Sequence, residues 1–139
     1  MDAAAPIREA DVSIATLQGV FQAALVPCSV DKDGDLRIEE GGIKCFIRVN
    51  TEKKLLTFFS IWGLKSSIFD HKKKLEFTNK LNNEYIIVRF CMPKPDMLWC
   101  DYQMLYEGGV LPFQVVNTCK RFMRVCGGIV SDDADNLLA

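Results

Sequence analysis

Thr78-Asn79-Lys80-Leu81-Asn82-Asn83 closes a lysine-rich segment of helical period, and a long apolar run begins two residues later at Tyr85. On a helical wheel referenced to Leu75, Ile68, Asn79 and Asn82 fall within about forty degrees of it, which turns both amides toward the core. Amides facing a core are costly unless something bonds them. Asn79 and Asn82 therefore read as structural residues that bond the backbone of a neighbouring strand or loop and lock the helix end to a sheet. The alternative is contact with a ligand or peptide.

On the C-terminal side, Tyr85 to Met92 alternates, with Ile86, Val88, Phe90 and Met92 on one side. Met97 to Glu107 puts Leu98, Cys100, Tyr102, Met104 and Tyr106 on one side, and Pro93-Lys94-Pro95-Asp96 joins the two strands. Gly108-Gly109 closes the sheet, and Pro112 starts a last helix striped by Val115, Cys119, Phe122, Cys126 and Ile129, widened by Val116, Met123 and Val130. Residues 131–139 form an acidic tail that is expected to be mobile.

On the N-terminal side, Ser66 or Ser67 is the expected cap of the middle helix. Leu55 to Trp62 is apolar on both faces, as in a strand covered on both sides or lying at a contact surface. Ile43, Cys45, Ile47 and Val49 alternate with Lys44, Phe46 and Arg48. Cys28 to Glu39 reads as one bent strand or a tight hairpin around Asp31-Lys32-Asp33-Gly34-Asp35, with Gly34 supplying the positive φ of the turn. Before Pro27, Ile14, Leu17, Val20, Phe21, Ala24 and Leu25 recur at helical spacing behind Asp11 or Ser13 as cap. Residues 1–11 read as a flexible N-terminus and residues 12–130 as a single domain.

The predicted order is α-β-β-β-α-β-β-α, an α+β fold with a five-stranded antiparallel sheet. This order, together with Asp33-Gly34-Asp35, Asn79-Lys80-Leu81-Asn82, Gly108-Gly109 and the opening of the last helix from Phe113 to Phe122, resembles the YbjN family of bacterial proteins. That family's fold is similar to the type III secretion chaperone fold. The resemblance implies a sensory transduction regulator or chaperone-like protein, which acts by binding another protein.

Composition narrows the function classes. The 139 residues are 49% apolar and 25% charged, enough for one domain with a sizeable core. The 17 basic and 18 acidic side chains leave a net charge of -1, without the cationic excess that holds nucleic acid. No apolar run approaches the ~18 residues of a membrane-spanning helix, and the first residues lack a signal-peptide pattern, so a cytoplasmic location is expected. The six cysteines then read as reduced core thiols.

No catalytic constellation, metal set or cofactor motif stands out. Gly34 is at position four of its acidic loop and strands flank it, whereas an EF-hand needs glycine at position six of a ~12-residue loop between helices. There is no Cys-x-x-Cys pair, and the lone histidine, His71, sits in a lysine run. The expectation is a protein that is not an enzyme.

The informative surplus is a second apolar sheet face. Phe46, one of Phe58 and Phe59 (taken as Phe58), Ile87, Trp99 and Leu105 alternate away from the main stripe, and three helices are few for two apolar faces. These residues are the expected partner-binding surface, and a self-complementary patch there would make a homodimer. Two alternatives stand beside this one. The middle helix could cover the face through Phe77 and Leu81, or the domain could be a small-ligand sensor with a pocket beside Asn79 and Asn82.

Overall fold

The structure, a computed structural model, describes residues 5–139. The first helix, α1 (Ile14–Ala23), is capped by Ser13, whose hydroxyl accepts from the Thr16 N–H at 3.1 Å. Asp11, the other expected cap, ends a single 3-10 turn over Glu9–Asp11. Leu17, Val20 and Phe21 bury the apolar side of α1. Leu25, expected on the same stripe, is instead 91% exposed, because the chain turns out of the helix there with φ +60.

Six strands follow where five were expected: β1 (Cys28–Val30), β2 (Leu36–Glu40), β3 (Ile43–Asn50), β4 (Leu55–Gly63), β5 (Arg89–Lys94) and β6 (Met97–Leu105). All pairs are antiparallel, in the order β1-β2-β3-β4-β6-β5. The extra strand arises because the acidic loop makes a true hairpin. Asp31 Oδ1 accepts from the N–H groups of Asp33 and Asp35, both at 2.9 Å, and Gly34 takes φ +82.

In chain order α2 (His71–Glu84) comes between β4 and β5, and α3 (Pro112–Cys126) follows β6. Cys45, Ile47, Leu56, Phe58, Leu98 and Cys100 point from the sheet into one core with Phe77 and Leu81 of α2 and Val115, Cys119, Phe122 and Cys126 of α3. Ile129 is buried just beyond α3, whereas Val130, expected to widen the stripe, is exposed.

In α2 the expected phase is off by one residue, about 100° of a 3.6-residue turn. The inward side carries Lys74, Phe77, Thr78 and Leu81, while Leu75 and both Asn79 and Asn82 are exposed. A lysine can take the buried place because its ammonium is satisfied there: Lys74 Nζ donates to the Lys65 carbonyl at 2.9 Å and lies 3.7 Å from Asp96. The cap is Asp70, not Ser66 or Ser67, and accepts from the Lys73 N–H.

β5 starts at Arg89, four residues after the expected Tyr85, because Ile87 adopts φ +63 and bends the chain. Pro93 and Lys94 still belong to β5, at an irregularity in its pairing with β6. Proline is tolerated there because β5 is an edge strand.

Both ends of the chain are docked within the described residues. Ile7 is buried and pairs with Val110, exchanging hydrogen bonds of 2.8 and 3.0 Å; residues 1–4 of the segment expected to be flexible lie outside the described residues. The C-terminal tail, expected to be mobile, folds back instead. Leu137 is 1% exposed, Leu138 pairs with Leu64, and the Asp133 carboxylate accepts from the N–H groups of both leucines at 2.7 and 2.8 Å. The tyrosine hydroxyl of Tyr85 donates to Asp132 on the same tail.

Candidate functional site

Strand alternation gives the sheet a second face. On it stand Phe46 and Arg48 of β3, Thr57, Phe59 and Ile61 of β4, and Trp99, Asp101, Gln103 and Leu105 of β6, opposite in direction to the core-facing Ile47, Phe58 and Cys100. Phe77 and Leu81 of α2 belong to the main core, so the middle helix does not use them to cover this face.

An aromatic ladder crosses the centre. Phe46 stacks on Phe59 with centroids 5.3 Å apart and planes at 22°, and Phe59 stacks on Trp99 at 4.6 Å and 11°. These spacings match the ~4.8 Å between neighbouring strands, so the rings stand on the sheet like books on a shelf and show their edges outward. Phe59 is only 4% exposed yet is not part of the main core; its two aromatic neighbours and the Arg48 guanidinium, 4.8 Å from its centroid, enclose it.

Two arginine-carboxylate forks flank the ladder. Arg48 donates to Asp35 at 3.0 and 2.8 Å, and Arg89 donates to Asp101 at 3.2 and 2.7 Å. Both carboxylates are buried, at 4% and 3% exposure, and such forks are the geometry in which a buried carboxylate is satisfied. Asp101 also accepts from Trp99 Nε1 at 2.7 Å, which fixes the indole in the ladder. The hydrogen bonds that Arg48 and Arg89 donate to Asp35 and Asp101 hold their guanidinium groups above the ordinary pKa.

The residues expected to bind a partner distribute unevenly. Phe46 and Trp99 are half-buried in the ladder, and Leu105 is 66% exposed at the last position of β6, beyond Asp101 and Gln103. Phe58 is corrected: it pairs with Ile47 and Tyr102 on the core side and is fully buried, and of the two phenylalanines it is Phe59 that stands on the second face. Ile87 lies in the bend before β5, not on a strand, and lines a shallow cleft with Arg89, Asp101 and Gln103 at the margin of the face. The sequence reading missed Ile61, 43% exposed beside Trp99, and both forks. Asp101, a lone acid between Trp99 and Tyr102, was the available signal.

Of the two asparagines, Asn82 bonds the edge strand. Its Nδ2 donates to the Phe90 carbonyl at 2.8 Å, and its Oδ1 accepts from the Phe90 N–H at 2.7 Å. The amide thus stands where a further strand's peptide group would pair. Asn79 lies on the outer side of α2 with no side-chain hydrogen bond among the described residues. A cavity of about 460 Å³ lies elsewhere, between Glu40 and Asn117, Lys120 and Arg124.

Cys45, Cys100, Cys119 and Cys126 are buried, with the Cys100 and Cys126 sulfurs 3.7 Å apart. Burial pushes the Cys45 thiol up, and the hydrogen bond with Cys126 together with burial pushes Cys100 up, which disfavours the thiolate that nucleophiles and metal ligands need. Asp31 and Asp35 of the acidic loop are turned to backbone N–H groups and to Arg48 respectively. Among the described residues no helix is long and apolar enough to cross a membrane.

A family model described as "Putative bacterial sensory transduction regulator", YbjN, matches residues 13–130. The chain belongs to the YbjN family. No curated protein matches it. The crystal structure of YbjN from E. coli, described as a putative transcription regulator, is similar to this chain with a TM-score of 0.74 at 12% identity, covering 92% of this chain and 96% of that one. The Yersinia pestis type III secretion chaperone SycH, solved in complex with a stable fragment of YscM2, is similar with a TM-score of 0.51 at 12% identity, covering 85% and 97%. Identities this low speak for the fold: a YbjN-family α+β domain similar to the type III secretion chaperone fold, with six strands here.

Proposed function

We propose that this chain is a non-catalytic protein-binding module of regulatory or chaperone-like type, that it works in the cytoplasm as a homodimer, and that the helix-free face of its sheet is where it meets another chain. The observation that carries this reading is the aromatic ladder of Phe46, Phe59 and Trp99, with exposed Ile61 beside Trp99 and exposed Leu105 further along β6, on a face that the core-forming residues of α1, α2 and α3 leave open. Apolar side chains ringed by satisfied polar groups are the composition of a protein contact surface.

The chemistry of the face favours a protein over a polyanion, because Arg48 and Arg89 are each already held by a carboxylate. Bases stack on exposed ring faces, and here the ring faces are turned on one another. The SycH structure, in which a chaperone of similar fold holds a protein fragment, supports protein binding as the mode of action.

A photo-cross-linking residue placed at Ile61 tests the reading in cells, with the same residue at Arg121 on the outer side of α3 as control. The reading expects protein adducts from position 61 and not from position 121. No adduct from position 61, or equal yields from both, refutes it.

A further inference from the structure

We infer that the cleft between α3 and the end of β2 binds a small organic anion that also carries an amino group, its negative end on Lys120 and Arg124 and its amino end on Glu40. The site is separate from the open sheet face and does not depend on it. α3 contains no acidic residue. Asn117, Lys120 and Arg124, spaced by three and four residues, stand on one outer side of the helix and line the cavity of about 460 Å³, with the buried Met123 as an apolar patch of its wall. Every arginine outside α3 holds a carboxylate: Arg8 that of Asp11, Arg37 that of Glu39, Arg48 that of Asp35 and Arg89 that of Asp101. Lys120 and Arg124 have no carboxylate oxygen within 4.0 Å among the described residues. A guanidinium beside an ammonium, with an amide donor one turn away, suits a carboxylate or phosphate group. The negative end of the helix macrodipole accounts for a cation at Arg124, in the last turn, but that effect fades within one turn and does not reach Lys120.

The opposite wall is set by the sheet. Leu36 and Ile38 of β2 turn to the core, and alternation sends Glu40 to the same, helix-bearing side, one residue before Gly41 and Gly42 reverse the chain with φ +59 and +81. Glu40 therefore lines the cavity and not the open face, yet it stands more than 4.0 Å from the nitrogens of Lys120 and Arg124 and leaves the space between them unfilled. An ionised carboxylate only accepts hydrogen bonds, so Glu40 selects a donor. A bare anion is repelled by Glu40 and a bare amine by the two cations, whereas a molecule with both groups is opposed by neither. Amino acids and adenine mononucleotides share that chemistry, and a cavity of this size with a few convergent polar groups is within the range that holds such molecules.

The test is a heteronuclear NMR titration of the purified full chain with L-glutamate and AMP, each beside its amino-free counterpart, glutarate and IMP, and with inorganic phosphate as a bare anion. At least one of glutamate and AMP is expected to shift the backbone amides of Glu40, Asn117, Lys120 and Arg124 and to bind about tenfold more tightly than its counterpart, since a hydrogen bond to the Glu40 carboxylate is gained; the one that does so tells an amino acid from a nucleotide. Lys120→Gln and Arg124→Gln are expected to weaken that probe about tenfold each. Arg121→Gln removes the same charge from the same helix outside the cleft and is expected to leave the affinity unchanged, and Glu40→Ala is expected to erase the preference over the amino-free counterpart. All four variants alter exposed side chains, and their amide spectra report that they remain folded. No shift at the cleft with either amino-bearing probe, equal binding of the amino-free counterparts or of phosphate, or a loss in R121Q equal to that in R124Q overturns the inference.

Discussion

Removing the Asn82 amide should destabilise the domain in a way that Asn79, three residues earlier on the same helix, cannot imitate. Asn82→Ala deletes a 2.8 Å and a 2.7 Å hydrogen bond to the two backbone groups of Phe90. Each such bond is worth about 1 kcal/mol net. Because Asn82 is exposed, water can partly replace it, so the loss should be about 1–2 kcal/mol. Alanine returns about 0.5 kcal/mol of helix propensity at either position. Asn79→Ala should therefore stabilise by about 0.5 kcal/mol and Asn82→Ala destabilise by about 1 kcal/mol. The gap between the two isolates the contacts to the edge strand. Urea unfolding of both variants measures it, and hydrogen exchange at the Phe90 amide localises it, with faster exchange expected in Asn82→Ala alone. Equal midpoints for the two variants, or an unchanged Phe90 amide, would refute the assignment.

Other expectations follow from the same geometry. Gly109→Ala should cost more than 2 kcal/mol, since φ is +107 and the new Cβ would meet the Ile7 carbonyl oxygen at 2.8 Å, whereas Gly108→Ala, at φ +81 in open space, should cost about 1 kcal/mol; chemical denaturation separates them. Phe59→Ala should cost about 3 kcal/mol in the same assay despite lying outside the main core, because it empties the middle of the ladder. Stability should fall above pH 9. Cys45 and Cys100 sit above the ordinary thiol value of 9.0, and burial with Asp132 raises Tyr85 above 10.0. All three hold their protons more tightly folded than unfolded, so their contribution is full below the unfolded values and is lost as pH rises past them. Thermal midpoints between neutral and strongly alkaline pH check the sign; a flat profile contradicts it.

The elements readable in the sequence were those whose burial is set by local period. Val115, Cys119, Phe122, Cys126 and Ile129 all lie at 0% exposure, and the alternation of Cys45 and Ile47 against Phe46 and Arg48 is the alternation of β3. What could not be read depends on partners distant in the chain. Lys74 is buried with its ammonium on the Lys65 carbonyl and near Asp96, and α2 turns Lys74, Phe77, Thr78 and Leu81 inward in place of the phase Leu75 suggests. Ile86, Ile87 and Val88 have strand composition, but the positive φ at Ile87 puts them in a bend. The acidic tail is ordered through Asp133 and Leu137, a cap and an anchor invisible until the fold brings Leu64 beside them. On the candidate surface, Phe46, Trp99 and Leu105 were legible from alternation. The choice between Phe58 and Phe59 needed the register with β3, and the forks needed Asp35 and Arg48 brought together from 13 residues apart.

Oxidative footprinting of Cys91, Met97 and Trp99, all half-buried residues on or bordering the open face, tests the central claim most directly. The protein is labelled once inside cells and once purified at high dilution. Docking of another chain on this face predicts that the three side chains react markedly less in cells than in dilute solution, while Phe113 and Leu25 outside it change little. Equal reactivity of the three in both settings would contradict the account.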